Sequence, residues 1–568
     1  MSSFIAANLS PIMFGSLILF LFTGFPVAFA LAATGMSFGW LAVELGVVPA
    51  QFFNALPLRL YGIMANDVLL AIPFFTFMGL ILERSRMAED LLDTVGQVFG
   101  PMRSGLAIAV VLVGAMLAAT TGVVAASVIS MGLISLPIMM RYGYNRPLAA
   151  GVITASGTLA QIIPPSIVLI VIADQLGQSV GEMYKAAFIP AFMLVGIYVV
   201  AMLVLALVRP KWVPALPENA LIYHEANGNS GHKSLGVLTV ICVVIGYFSF
   251  VYWPQIKLLL GGDPNFPPPT DEKVVMSLMI TIGLAWLLAL LDKWLRFNLL
   301  STLARRVTFV LIPPLLLVFL VLGTIFLGLA TPTEGGAMGA AGAVLMALAR
   351  KRLGGTLLRQ ALDASARLSI FVLFVLIGST IFALTFQGVD GPVWVKSLFA
   401  VLPGGELGFL VFVSVLIFIL GCFLDFFEIA FILLPLLLPV LTDMNINMVW
   451  FGVLVALILQ TSFLTPPFGF ALFYLRSVAP KEDYDDKVTG KRIAAFKTGD
   501  IYKGAVAFVI LQLILVIAVM WQPQIVLYGL GEQKVLDVDS VDLNITPMEF
   551  GEEEEPPPGF APSPKPGQ

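Results

Sequence analysis

The sequence predicts an all-α polytopic membrane protein, an inverted repeat with two re-entrant helical hairpins and two broken helices. Three observations predict it. First, 59% of the 568 residues are hydrophobic and 12% charged, which leaves no water-soluble reading. Second, two Pro-Pro pairs interrupt apolar runs at matching places, in Gln161-Ile162-Ile163-Pro164-Pro165-Ser166 and Ser462-Phe463-Leu464-Thr465-Pro466-Pro467. Proline lacks the N–H and clashes with the preceding turn. In hydrocarbon, broken backbone survives only where protein buries it or where it lines a wet cavity. Third, one offset relates the halves. The 302 residues between Pro164 and Pro466 also carry Leu136-Pro137-Ile138 onto Leu438-Pro439-Val440, and Asn145 onto Asn447. The register slips a little upstream, where Gly24-Phe25-Pro26 still falls near Ala330-Thr331-Pro332.

Residues 1–208 make the first repeat. Apolar runs place spans at 11–22, 26–43, 68–82 and 183–208, with an amphipathic arm at 84–99. The stretch 105–140 is too long for one crossing and carries Ala118-Ala119-Thr120-Thr121-Gly122 in its middle, so it reads as a hairpin. The broken helix occupies 147–173. Residues 209–304 are an insert with two extra spans, 235–253 and 274–291, and polar loops. Residues 305–520 repeat the first plan: spans 308–329, 333–349, 368–386 and 502–520, an arm at 351–367, a hairpin at 407–442 and a broken helix at 447–475. Pro313-Pro314 has no hydroxyls beside it and reads as a kink. The tail 521–568, with Glu552–Glu555 and Pro556–Pro558, has the composition of a disordered segment.

Charge sets the orientation. Arg84, Arg86, Arg103, Arg141 and Arg146 flank the first hairpin, whereas Lys396 stands among Asp390, Glu406 and Asp443 around the second. By the positive-inside rule one hairpin enters from the cytoplasm and the other from outside. The same rule puts Arg350-Lys351-Arg352 inside and both termini outside. No Lys or Arg precedes Arg59, which argues against a cleaved signal peptide with a basic start.

Signatures for nucleotide, zinc-protease and thiol chemistry are missing: there is no GxxxxGK[ST], HExxH or CxxC, and Cys242 and Cys422 offer neither a disulfide framework nor a metal motif. Work done by this chain would draw on an ion gradient, and no cofactor, resident metal or nucleic-acid partner is expected. The breaks suit such work. A broken helix exposes carbonyls and N–H groups at its two ends, the former suited to Na⁺ and the latter to an anion. Ser156, Thr158, Gln161 and Ser166 in the first break, with Thr461 and Ser462 in the second, are the candidate substrate-binding residues. The second hairpin tip, Gly421-Cys422-Phe423-Leu424-Asp425, adds a carboxylate within an apolar run. Such a carboxylate needs a partner, for which a bound cation serves; a helix N-cap is the other reading, and the two can coexist. Glu428 shares that helix face or reaches the outer interface. Thr331-Pro332-Thr333-Glu334 fits a capping box, and Asn66-Asp67 a helix start.

Taken in order, Gly24–Ala28, Ile72–Phe75, Gly157–Ser166, Ala330–Gly336, Gly421–Asp425 and Leu464–Gly469 resemble the large membrane subunit of tripartite ATP-independent periplasmic (TRAP) transporters, the DctM-like family. The resemblance covers about 10–208 and 305–520. It implies an elevator-type secondary transporter in the bacterial inner membrane. A periplasmic binding protein would deliver an organic acid, usually a carboxylate, and Na⁺ would drive uptake. A small four-span membrane subunit, expected as a separate protein, completes the assembly. Position by position, the resemblance implies one cation site at Asp425 and Thr465 beside Gly421. The other would join the tip Thr120, Thr121 and Gly122 to the break near Gly157 and Pro164. The insert and the tail depart from the pattern. A carrier working without a binding protein is the alternative. An intramembrane enzyme fits poorly, because the repeat places Val123 rather than a second aspartate opposite Asp425.

Overall fold

The computed structural model describes residues 2–217, 220, 222, 231–259, 268, 270–295, 300–400, 403–486 and 488–530. After α1 (Ser2–Ala7), the first repeat opens with α2 (Leu9–Phe22) and α3 (Val27–Glu44). Next comes α4 (Ala55–Met64), bent by 44° against the helical run that ends in α5 (Ala71–Arg84). The arm α6 (Met87–Phe99), the hairpin α7 (Gly105–Thr121) and α8 (Val124–Arg141), the broken-helix halves α9 (Arg146–Thr158) and α10 (Ile167–Gln175), and α11 (Val180–Val208) complete it. The insert supplies α12 (His232–Leu259) and α13 (Thr270–Leu295). The second repeat runs through α14 (Thr302–Phe326), α15 (Pro332–Ala349), α16 (Gly355–Gly388), α17 (Gly391–Ala400) and the hairpin α18 (Gly405–Leu420) and α19 (Phe426–Asp443). It closes with α20 (Met448–Leu464), α21 (Phe470–Val478), a two-stranded hairpin β1 (Tyr484–Asp485) and β2 (Arg492–Ile493), and α22 (Thr498–Trp521). Shifting α8 by the 302-residue offset lands on α19 end for end.

The hairpin helices are short. At 17 residues α7 spans about 25 Å, less than the ~30 Å hydrocarbon core. The two repeats interlock. In one group the early spans α3 and α5 pack on α16 and α15 of the second repeat. In the other, α10 packs on α19 and α20, α21 packs on α8 and α9, and α22 lies along α9. At that last crossing a Cβ added to Gly504 would strike the Pro147 carbonyl and lie 2.8 Å from the Gly151 amide nitrogen. Only glycine admits so close an approach.

Two expectations change. The offset maps the arm α6 onto α17, not onto 351–367, of which the residues from Gly355 are the polar start of the continuous 34-residue α16. Its amphipathic pattern belongs to a long helix emerging from the apolar layer, since nothing between Gly355 and Gly388 breaks it. Pro313 and Pro314 lie inside the continuous α14, unlike the pairs at the two breaks. Order also extends past residue 521: α23 (Gln524–Leu527) and a turn at Tyr528–Leu530 pack on α11, with Val526 fully buried. The tail from 531 onward and the loop residues Gly261–Asp263 lie outside the described residues.

Charges tie the elements at the end predicted to face the cytoplasm. Asp90 of the arm α6 meets Arg352 at 2.7 Å, Arg350 at 3.2 Å and Arg306 at 3.7 Å, joining the arm to the ends of α14 and α15. The strap 209–217 runs alongside: the Val213 carbonyl accepts from the Ser104 amide and the Trp212 carbonyl from the Asn145 amide, both at 3.0 Å. The insert is fastened to this framework. Asp292 of α13 pairs with Arg305 of α14 at 3.0 Å, and Glu272 of α13 takes bonds from Trp253 and Lys257 of α12, both at 2.8 Å.

Arg141, at the base of the first hairpin, donates to both oxygens of Asp486 in the loop before α22, at 2.9–3.0 Å. That guanidinium, with the Thr489 hydroxyl and amide, holds the Asp486 carboxyl well below the usual carboxylate range. A depressed folded-state pKa contributes stability that is full above the unfolded value, about 3.9, and is lost as pH falls through the folded one. The stability advantage of the native chain over Asp486→Asn is therefore expected to be constant above about pH 5 and to shrink below about pH 4. Thermal unfolding in detergent across that range checks it.

Candidate functional site

In the first repeat α9 passes through a 3-10 turn, Leu159–Gln161, and irregular Ile162–Ser166 before α10 begins. Ser156, Thr158, Gln161 and Ser166 are all fully buried. In the second, α20 ends at Leu464, Thr465 caps it, and α21 starts after Gly469. Gln460, Thr461 and Ser462 are likewise fully buried. The Pro164–Pro165 and Pro466–Pro467 peptide bonds are both cis.

Each hairpin tip meets its own break. Gly122 turns the first tip at φ +60°, a conformation that disfavours side chains, and a Cβ there would lie 3.4 Å from the Pro165 carbonyl oxygen. At Gly421 a Cβ would strike the Ser462 hydroxyl; next to it, Cys422 Sγ lies 3.9 Å from the Ser462 carbonyl. Phe423 of the tip packs on Phe468 of the break, ring centroids 5.0 Å apart. The structure thus joins Thr120–Gly122 to the first break and Gly421–Leu424 to the second. Gly157 lies against α8 rather than the tip, close to Val128. The Pro164 ring lines an apolar crevice of about 480 Å³ with Phe188, Phe192, Leu235 and Leu322, which leaves only its backbone for a polar role.

Asp425 caps α19. Its Oδ1 accepts from the Phe426 amide at 2.8 Å, and Glu428 reaches back to accept from the Asp425 amide at 3.0 Å, a reciprocal capping box. Among the described hydrogen bonds none links Asp425 to Thr465.

The hydroxyl protons are mostly spent on the chain itself. Thr120 and Thr121 donate to Leu117, Thr158 to Ala155 and Ser166 to Gln161. In the second repeat Thr461 donates to Leu457, Ser462 to Leu459 and Thr465 to Thr461, at 2.7–2.8 Å. A hydroxyl that donates to a helix carbonyl keeps its oxygen lone pairs, which suit a cation or another donor. Sequence reasoning missed one network here. Gln512 of α22 donates to the Tyr198 hydroxyl of α11 at 2.7 Å and lies 3.5 Å from Thr158 Oγ1, bracing the end of α9. A glutamine inside an apolar final span was the available signal.

The family described as the Tripartite ATP-independent periplasmic transporter, DctM component, matches residues 14–525. The chain belongs to that DctM family. The DctM chain is 26% identical over 426 residues to the C4-dicarboxylate TRAP transporter large permease protein DctM of Pseudomonas aeruginosa, covering 75% of this chain and 81% of that one. Against the protein of the same description from Rhodobacter capsulatus it is 25% identical, covering 81% and 88%. It is 22% identical to the isethionate TRAP transporter permease protein DctMQ of Oleidesulfovibrio alaskensis, covering 83% of this chain and 60% of that longer one. Among solved structures the Alcanivorax borkumensis YdaH transporter aligns with a TM-score of 0.48 at 12% identity, covering 83% and 88%. The three curated relatives are named as permeases, and the DctM chain is a multi-pass subunit of a TRAP transporter.

Proposed function

We propose that this DctM chain is the large permease subunit for Na⁺-coupled uptake of an organic acid, working by an elevator movement in the bacterial inner membrane with both termini in the periplasm. A periplasmic binding protein delivers the acid, a small four-span subunit completes the framework, and Na⁺ is the coupling ion. The observation that carries this reading is the meeting of tip and break in both halves, at Gly122 with Pro165 and at Gly421 with Ser462. A helix interrupted at matching depth in two inverted copies is how secondary transporters build a midplane site. The hydroxyl lone pairs and Asp425 supply oxygen ligands for Na⁺. The relatives named for C4-dicarboxylates and isethionate support an organic acid as the cargo.

Uptake in proteoliposomes holding this chain, its small partner and the cognate binding protein tests it. Accumulation of an organic acid is expected only with an inward Na⁺ gradient and the binding protein together. Na⁺-driven uptake by the chain alone would replace this reading with a stand-alone carrier.

A further inference from the structure

Among the described residues two buried glutamines have both side-chain polar atoms unpartnered. Gln161 and Gln460 are fully buried, and in each both the amide nitrogen and the amide oxygen lack a hydrogen-bond partner among the described residues. The turn that ends on Gln161 packs against α20, whose last two turns carry Gln460. Ser156, one turn before that break, has an unpartnered hydroxyl as well. Leaving a buried amide unpaired is costly, and buried polar groups in folded proteins are nearly always bonded. Two whole amides unpaired beside the two breaks mark groups kept for something that enters.

Their chemistry restricts what enters. No Lys or Arg lies within α7–α10 between Gly105 and Arg141 or Pro147 and Gln175, apart from Arg141 itself at the base, nor within α18–α20. At the tips and breaks the threonine and serine hydroxyls donate to backbone carbonyls, Ser156 excepted. Beside the two breaks the free side-chain donors for a carboxylate are thus the two amide NH₂ groups and Ser156. Each glutamine also presents a carbonyl oxygen, which repels a carboxylate and needs a donor from the ligand. A hydroxyl close to the carboxylate meets both demands. We propose that Gln161 and Gln460 make this a site for hydroxylated carboxylates, the NH₂ groups holding the carboxylate and the amide oxygens accepting from the hydroxyl. The proposal rests on the organic-acid reading above and narrows its substrate class.

A site built to bond a hydroxyl rejects the analogue that lacks it, because its own polar groups then stay unpaired. The test is thermal unfolding of the purified chain with its small partner in Na⁺, titrated with malate against succinate and with glycerate against propionate. The hydroxylated member of each pair is expected to stabilise the native protein at a concentration at least about tenfold lower. Gln161→Leu and Gln460→Leu should each bring that ratio close to one. Their ligand-free unfolding temperature should stay level or rise, since an orphaned amide is being removed. Equal potency within each pair, or an unchanged ratio in both variants, overturns the proposal while leaving organic-acid transport standing. A fall in ligand-free stability in both variants overturns it too, as the amides would then be structural. Stabilisation by none of the four acids, together with no uptake of any acid in the liposome experiment, removes the organic-acid reading and this one with it.

Discussion

Asp425→Asn is expected to raise the Na⁺ concentration for half-maximal uptake at least about tenfold, with normal expression and assembly. Tenfold corresponds to about 1.4 kcal/mol. Asparagine caps a helix about as well as aspartate, so the α19 capping box with Glu428 survives the change. What the substitution removes is the negative charge, and a carboxylate at membrane depth is tolerated when a cation partners it. Asp425→Ala separates the two roles further, because loss of the cap costs about 1 kcal/mol of stability. Alanine should therefore lower both unfolding temperature and Na⁺ affinity, and asparagine only the latter. Uptake by Asp425→Asn with unaltered Na⁺ dependence would reduce Asp425 to a cap. Measuring initial rates against external Na⁺ in proteoliposomes decides it.

Gly504→Leu is expected to abolish the folded protein. Overpacking a core ordinarily costs about 1–3 kcal/mol because side chains yield. Here the obstruction is backbone, the Pro147 carbonyl and the Gly151 amide, so neither helix can give way without separating. Even Gly504→Ala should lower the unfolding temperature. Gly196→Ala is the control: no atom stands within 4 Å of its added Cβ, and alanine favours the helix by up to about 1 kcal/mol. Size-exclusion profiles and thermal unfolding of the three variants check the set. A folded, monodisperse Gly504→Leu would show that α22 and α9 do not meet as described.

The features legible in the sequence are those with local causes. Proline chemistry marks both breaks, the Gly122 tip shows as a run of small residues, and Thr331 and Glu334 form the capping box their spacing implies, with the Thr331 amide 2.8 Å from Glu334 Oε2. Asp425 was open between cap and cation ligand; the capping bond is seen directly. The misread arm shows the limit of a local pattern. Polar residues such as Arg359, Gln360 and Asp363 on one face look alike whether a helix lies along an interface or rises into it. Only the neighbours of α16 distinguish them, and those lie on α3 and α5, far off in sequence. The same distance hid the pairing of Gln512 with Tyr198. Gln460 stands in the sequence as a polar residue near the second break, but its lack of a partner among the described residues is a property of packing alone.

The contact of α22 with α9 also bears on how the protein is made. α9 ends at Thr158 and α22 begins at Thr498, so the ribosome delivers the first broken helix long before the helix that shields it. Until translation is nearly complete, a polar, interrupted segment waits in the bilayer without its final cover. Long-range closure of this kind is slow, and incompletely packed intermediates are the forms that proteases and chaperones engage. The last span is thus a checkpoint: nascent chains stopped short of Thr498 should be cleared, and only full-length ones retained.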